Sequence, residues 1–249
     1  MARQKITGNV NDSGAENFIE KLQSFQSDDE LEKIQRYFKL GKGQYGDGDV
    51  FIGVRMGTVF ALAKEFIDMA PVEIEKLLES SVHEIRTGGV SIMDFQARNK
   101  TTPEKRKKEL FNLYIKRHDR INNWDLVDRA AIYVVGSFLV DKPRDILYKF
   151  ARSKNIWERR TAIVSTAFFL KQKDNANTFK IAELLLKDKH NLIHKATGGW
   201  IRQAGKSDPE KLLTFLDKHA AIMPRTMLHY AIEHLDKKQK IHYQALKKD

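Results

Sequence analysis

Asn123-Trp124-Asp125-Leu126-Val127-Asp128 opens a pattern that recurs three times downstream. The later members are Asn155-Ile156-Trp157-Glu158-Arg159-Arg160-Thr161-Ala162, His194-Lys195-Ala196-Thr197-Gly198 and Met223-Pro224-Arg225-Thr226-Met227. Their alignment puts Asp128, Arg160, Lys195 and Arg225 at one equivalent position, with steps of 32, 35 and 30 residues. A period near 33 is that of a two-helix repeat. One pair of helices cannot bury its apolar face alone, so such pairs stack into an extended core with equivalent positions aligned along one face. One carboxylate among three cations on that face suits a polyanion.

Helical periodicity fills the chain outward from this stretch. Candidate helices run over 15–25, 28–39, 50–69, 71–79, 81–96, 103–119, 123–139, 143–152, 155–171, 174–187, 190–206, 208–219, 223–235 and 237–247. Asp28 suits a cap, Pro71 and Pro103 a first turn, and Asp208-Pro209 a cap followed by a first position. The short connections make neighbouring helices antiparallel. No alternating run reads as a strand. The expected fold is all-α: a solenoid of stacked helix pairs with a concave basic face. Residues 1–14 are expected to be a disordered polar lead and 15–249 a single repeat domain.

Composition narrows the function. Lys and Arg number 44 against 33 Asp and Glu, a net charge of +11. That is the footprint of a nucleic-acid binder, although an anionic membrane attracts the same charge. The absence of cysteine excludes disulfides, thiolate catalysis and Cys-ligated zinc. No signal peptide and no apolar run of membrane-spanning length is present, so a soluble intracellular protein is expected.

Several candidate sites fall away on spacing. Gly41-Lys42-Gly43-Gln44-Tyr45-Gly46-Asp47-Gly48-Asp49 lacks the Gly-Lys-Ser/Thr close and the preceding strand of a phosphate loop, and reads as a flexible loop. Asp47 and Asp49 do not extend into a calcium loop. His190 and His194 are four apart, but without the glutamate of a zinc hydrolase; His229 and His234 are poorly spaced for joint ligation. No nucleophile elbow or dinucleotide fingerprint occurs. The expectation is a protein with no cofactor and no metal.

Trp124 and Asp128 share a helix face. Two uses fit them. In one, the indole is half-buried packing and Asp128 pairs with Arg160. In the other, the carboxylate stabilises an oxocarbenium sugar, or positions water at it, while the indole holds the sugar through its π face. Asp125 is the rival carboxylate, about 100° away around the helix. Arg202 lies two turns beyond Lys195 on the same stripe, so Arg160, Lys195, Arg202 and Arg225 read as backbone phosphate contacts.

The sequence resembles the AlkD-type DNA alkylation repair family, bacterial DNA glycosylases built from HEAT-like repeats, over about residues 28–235. The resemblance is carried by Trp124-Asp125-Leu126-Val127-Asp128, by Asn155 to Ile163 and by His194 to Gly198. Arg36-Tyr37-Phe38-Lys39 and Phe51-Ile52-Gly53-Val54-Arg55 add weaker agreement. It implies a right-handed solenoid of HEAT-like repeats, an ARM/HEAT-type superhelix, and hydrolytic excision of cationic N3- and N7-alkylated purines from duplex DNA, without flipping the base into a pocket. A cytosolic monomer that uses no metal, cofactor or membrane is expected. By position, Asp128 matches the family's catalytic aspartate, Trp124 its first sugar-contacting tryptophan, Arg160 a phosphate-binding arginine and Tyr37 a tyrosine near the lesion. Trp157, Lys195, Arg202 and Arg225 join the expected DNA-contacting set. The family's second tryptophan directly follows Lys-Ala-x-Gly; here that place is Gly199, and Trp200 follows one residue later. The stripe Ile193, Ala196, Trp200, Ala204 is apolar, so Trp200 is expected in the core with glycine on the DNA side. An irregular α-helix would return Trp200 to the DNA-contacting set.

Overall fold

The computed structural model describes residues 14–246. The expected lead over 1–14 lies outside these residues except for Gly14, which caps the first helix. Contacts within the chain gather into two units, one ending at Arg120 and one starting at Ile121.

The first unit holds α1 (Ala15–Gln23), α2 (Asp28–Tyr37), α3 (Met56–Glu65), α4 (Pro71–Glu79), α5 (His83–Arg98), α6 (Glu104–Lys116) and a 3-10 turn, His118–Arg120. α5 is its axis, with α3, α4 and α6 packed against it. The cap of α2 is Ser27, not Asp28: its hydroxyl accepts from the Glu30 amide at 3.4 Å. Pro71 opens α4 as expected, whereas Pro103 sits one place earlier, at the cap of α6.

The helix expected over 50–69 is shorter, because residues 50–55 are drawn out along α5. The buried Glu84 carboxylate accepts from the amides of Ile52 at 3.1 Å, Gly53 at 3.0 Å and Val54 at 3.3 Å. Gly53 has φ +77°, and a Cβ there would stand 2.2 Å from the Ser27 carbonyl oxygen, so only glycine fits. Val50 forms an isolated bridge with Val82. The acidic residues of the preceding loop are spent locally. Asp47 accepts from the Gly43 amide at 2.7 Å, and Asp49 pairs with Arg86 at 2.5 Å.

The second unit holds α7 (Trp124–Ala130), a π-helical segment (Ala131–Ser137), α8 (Asp145–Ala151), α9 (Ile156–Lys171), α10 (Ala176–Leu185), α11 (Asn191–Ser207), α12 (Pro209–His219), α13 (Arg225–Ala231) and α14 (Lys237–Ala245). The π segment, α9, α11 and α13 pack in succession as one layer; α8, α10 and α12 pack against it as a second. This is the expected all-α helical repeat arrangement. Inner-layer contacts are close enough to exclude side chains. A Cβ on Gly136 would lie 2.3 Å from the Ser165 carbonyl oxygen, and one on Gly198 would lie 2.3 Å from that of Met227. Among the described residues no helix is long and apolar enough to cross a membrane.

Candidate functional site

Asn123 starts α7 by accepting from the Trp124 amide at 2.8 Å. Asp128 therefore falls one turn in, just before the backbone widens into the π segment. Asn155 starts α9 the same way, accepting from the Trp157 amide at 2.9 Å. That sets Arg160 opposite Asp128.

The two side chains form a fork. Arg160 Nε donates to Asp128 Oδ1 at 2.8 Å and Nη2 to Oδ2 at 2.6 Å. Its third nitrogen, Nη1, donates to the Leu192 carbonyl at 2.9 Å. The arginine is buried; the Asp128 side chain keeps 39% of its exposure. A two-point charge-assisted contact of this kind fixes the carboxylate plane. Of the two uses left open for Asp128 by the sequence, the ion pair with Arg160 is thus present, and it leaves the carboxylate reachable.

Asp128 and Arg160 lie on the wall of a cavity of about 720 Å³, together with residues of α9, α11 and α13. The cations on that wall are Arg160, Lys171, Lys195, Arg202 and Lys206; Asp128 is its carboxylate. Lys171 donates to the Tyr133 hydroxyl and lies 4.5 Å above that ring's centroid. Arg202 pairs closely with the half-exposed Glu233. Lys195 is exposed.

The remaining expected residues divide. Trp124 is half-buried, one turn before Asp128, and does not line the cavity. Trp157 is 8% exposed and belongs to the core, which corrects its place in the DNA-contacting set. Trp200 corrects the opposite expectation: it is half-buried on a regular helix and lines the cavity beside Ala196. Ile193 and Ala204 of the same stripe are fully buried. The cavity is wide enough to take in two adjoining stripes of α11, so Gly199 lines it too, and a Cβ on Gly199 would meet nothing within 4 Å. Arg225 does not line the cavity; it donates to the carbonyls of Gln244 at 2.5 Å and Leu246 at 3.2 Å, at the end of α14. Tyr37, in the first unit, is exposed at the end of α2.

The histidines have structural uses. His190 caps α11, its Nδ1 accepting from the Leu192 amide at 3.2 Å. Burial holds His190 below its usual imidazole pKa, against the pull of Asp188. His194 Nε2 meets the Asp188 carbonyl at 2.6 Å. Among the described residues no three His, Asp or Glu gather as a metal would require. Lys171 and Ile132 were missed by the sequence reading, whereas Lys206 continues the Lys195, Gly199, Arg202 stripe by one turn, as helical spacing predicts.

Among solved structures, one from Enterococcus faecalis described as a predicted DNA alkylation repair enzyme matches with a TM-score of 0.65 at 16% identity, covering 85% of this chain and 97% of that one. No curated protein matches. At that identity the structural likeness speaks for the fold alone. The family model described as DNA alkylation repair enzyme matches residues 18–235, most of the chain and the whole of the cavity-lining set, and this chain belongs to that family.

Proposed function

We propose that this chain is a DNA glycosylase that hydrolyses the N-glycosidic bond of cationic N3- and N7-alkylated purines in duplex DNA, without flipping the base. The carrying observation is the reachable, rigidly held Asp128 carboxylate on the wall of a cavity whose other charged lining is cationic. Phosphates are attracted by the cations. The positive charge that develops on the deoxyribose as the bond breaks is met by the carboxylate. An alkylated purine carries its own positive charge and leaves as a neutral base, so no general acid is needed. A carboxylate accepts about four hydrogen bonds. Arg160 takes two. The rest serve the sugar or the attacking water. In this reading Trp124 and Trp200 flank the nucleotide, Lys195 and Arg202 hold phosphates, and Tyr37 contacts DNA.

The test is release of 3-methyladenine and 7-methylguanine from alkylated duplex DNA in EDTA. The native chain is expected to release them, and Asp128→Asn, still folded and still binding duplex, is expected to release none. An Asn variant that excises at the native rate removes Asp128 from the chemistry.

The open space at Gly199 supports a second reading, a non-catalytic binder of damaged, bent or branched DNA. It predicts salt-dependent duplex binding by the native chain with no base release.

A further inference from the structure

The loops leading into α9 and α11 carry matching charge. Arg152-Ser153-Lys154 precedes the cap Asn155, and Lys187-Asp188-Lys189 precedes the cap His190. Each loop places a cation three residues and one residue before its cap. Each cap side chain then accepts from the amide two residues on, Trp157 at 2.9 Å and Leu192 at 3.2 Å. Arg152 and Lys187 thus take equivalent places, as do Lys154 and Lys189. All four are exposed, and among the described residues none of the four is in an ion pair.

Between the loops lies a second cavity of about 490 Å³, lined in part by Arg152, Arg159, Lys187 and Lys189. Its carboxylate, Asp188, is already answered. Arg159 Nε donates to it at 2.5 Å, the His190 amide at 2.8 Å, and its side chain is 4% exposed. Arg159 also donates to the carbonyls of Ser153 and Lys154 at 2.9 Å, so it fixes one loop to the other. Arg159 and Arg160 are consecutive on α9, about 100° apart. One lines the second cavity and the other the first.

We propose that this second groove binds the phosphodiester backbone of the duplex beyond the lesion, an extension that rests on the DNA reading above. Duplex DNA holds condensed cations along its phosphates, and exposed protein cations that displace them drive binding without reading the sequence. An acidic protein partner fits less well. Protein interfaces centre on buried aromatic or aliphatic anchors, and among the described residues the large exposed apolar side chains (Phe25, Tyr37, Val50, Val72, Ile222 and Ile241) lie on neither loop.

The experiment is equilibrium binding to a short undamaged duplex in EDTA over a series of salt concentrations. It compares the native chain, the variant Arg152→Gln/Lys154→Gln/Lys187→Gln/Lys189→Gln, and the cavity variant Lys195→Gln/Arg202→Gln. Each lost phosphate contact removes about 0.9 from the slope of log affinity against log salt, so the loop variant is expected to be shallower by roughly 2 to 4. Acetylation footprinting of the native chain gives an independent readout: duplex DNA is expected to protect Lys154, Lys187 and Lys189. An unchanged slope with unprotected lysines, while the cavity variant loses affinity, overturns the second groove and leaves the DNA reading standing. A native chain that does not bind duplex at low salt overturns both. A shallower slope in a chain that releases no base supports the groove while removing the excision.

Discussion

At the scale of single residues, the proposed chemistry turns on Arg160 and Asp128. The sequence brought both to one repeat position but could not say whether the arginine faced a phosphate or the carboxylate, since both uses place it on the same helix face. The structure spends three of its nitrogens inside the protein. An arginine so engaged orients Asp128, and it cannot grip a phosphate with its fork without releasing that carboxylate. Arg160→Lys keeps the charge and loses the fork. Single-turnover base release should fall by on the order of 10²-fold through misplacement of the carboxylate, while duplex affinity changes far less. Measured as rate at saturating enzyme against dissociation constant, a loss confined to affinity would return Arg160 to the phosphates. Trp157 marks the limit of pattern reading. The π segment, α7, α8, α10 and α11 all pack against α9. A helix packed against five neighbours keeps too little polar surface to show which residues look outward.

At the scale of elements, boundaries with local caps were legible to within a residue. Pro71, Asp208 and Pro209 fall where expected, and the starts of α2 and α6 are each off by one position. The larger departures have remote causes. The start of α3 is set by Glu84, some thirty residues on, and the guanidinium of Arg225 by the end of α14. The break of the 123–139 helix into a π segment coincides with the close approach of Gly136 to α9. Adjacent glycines of α11 give a paired test. Gly199→Ala adds a methyl in open space and gains helix propensity, about 0.5–1 kcal/mol, which raises the melting temperature by roughly 1–4 °C. Gly198→Ala presses on the Met227 carbonyl and costs about 1–3 kcal/mol or more. Equal melting of the two variants by calorimetry would contradict the close packing of α11 on α13.

Across the whole molecule, burial lowers the pKa of His190 and of His219, which lies under Glu183. A histidine whose folded pKa is below its unfolded value binds its proton more readily when unfolded. The unfolded state therefore gains on acidification, and stability is lost as pH falls through the unfolded value of about 6.5 towards the folded one. The carboxylates Glu75, Glu183 and Asp208 are lowered by their cationic and amide partners, so their contribution fades only further down, below the ordinary carboxylate range. Melting temperature is expected to drop between about pH 7 and pH 5, with a second, steeper loss below about pH 4.5. His190→Asn keeps a competent cap and should flatten the first drop; thermal melts in matched ionic strength check it. Charge and helix content were legible in the sequence, because each is a sum or an average over many residues; the register of the fourth repeat was not, since Arg225 stands one residue after its cap while Asp128, Arg160 and Lys195 stand five after theirs. The width of the cavity was not, since it depends on how far neighbouring helices stand apart.

The vacancy beside Gly199 also makes the cavity addressable. The chain has no thiol of its own, so Gly199→Cys creates a unique attachment point whose side chain meets no neighbour. A small fluorophore there would report, without background labelling, whatever enters between Trp200 and Asp128. The occupant of the site can thereby be watched in real time even when no bond is broken.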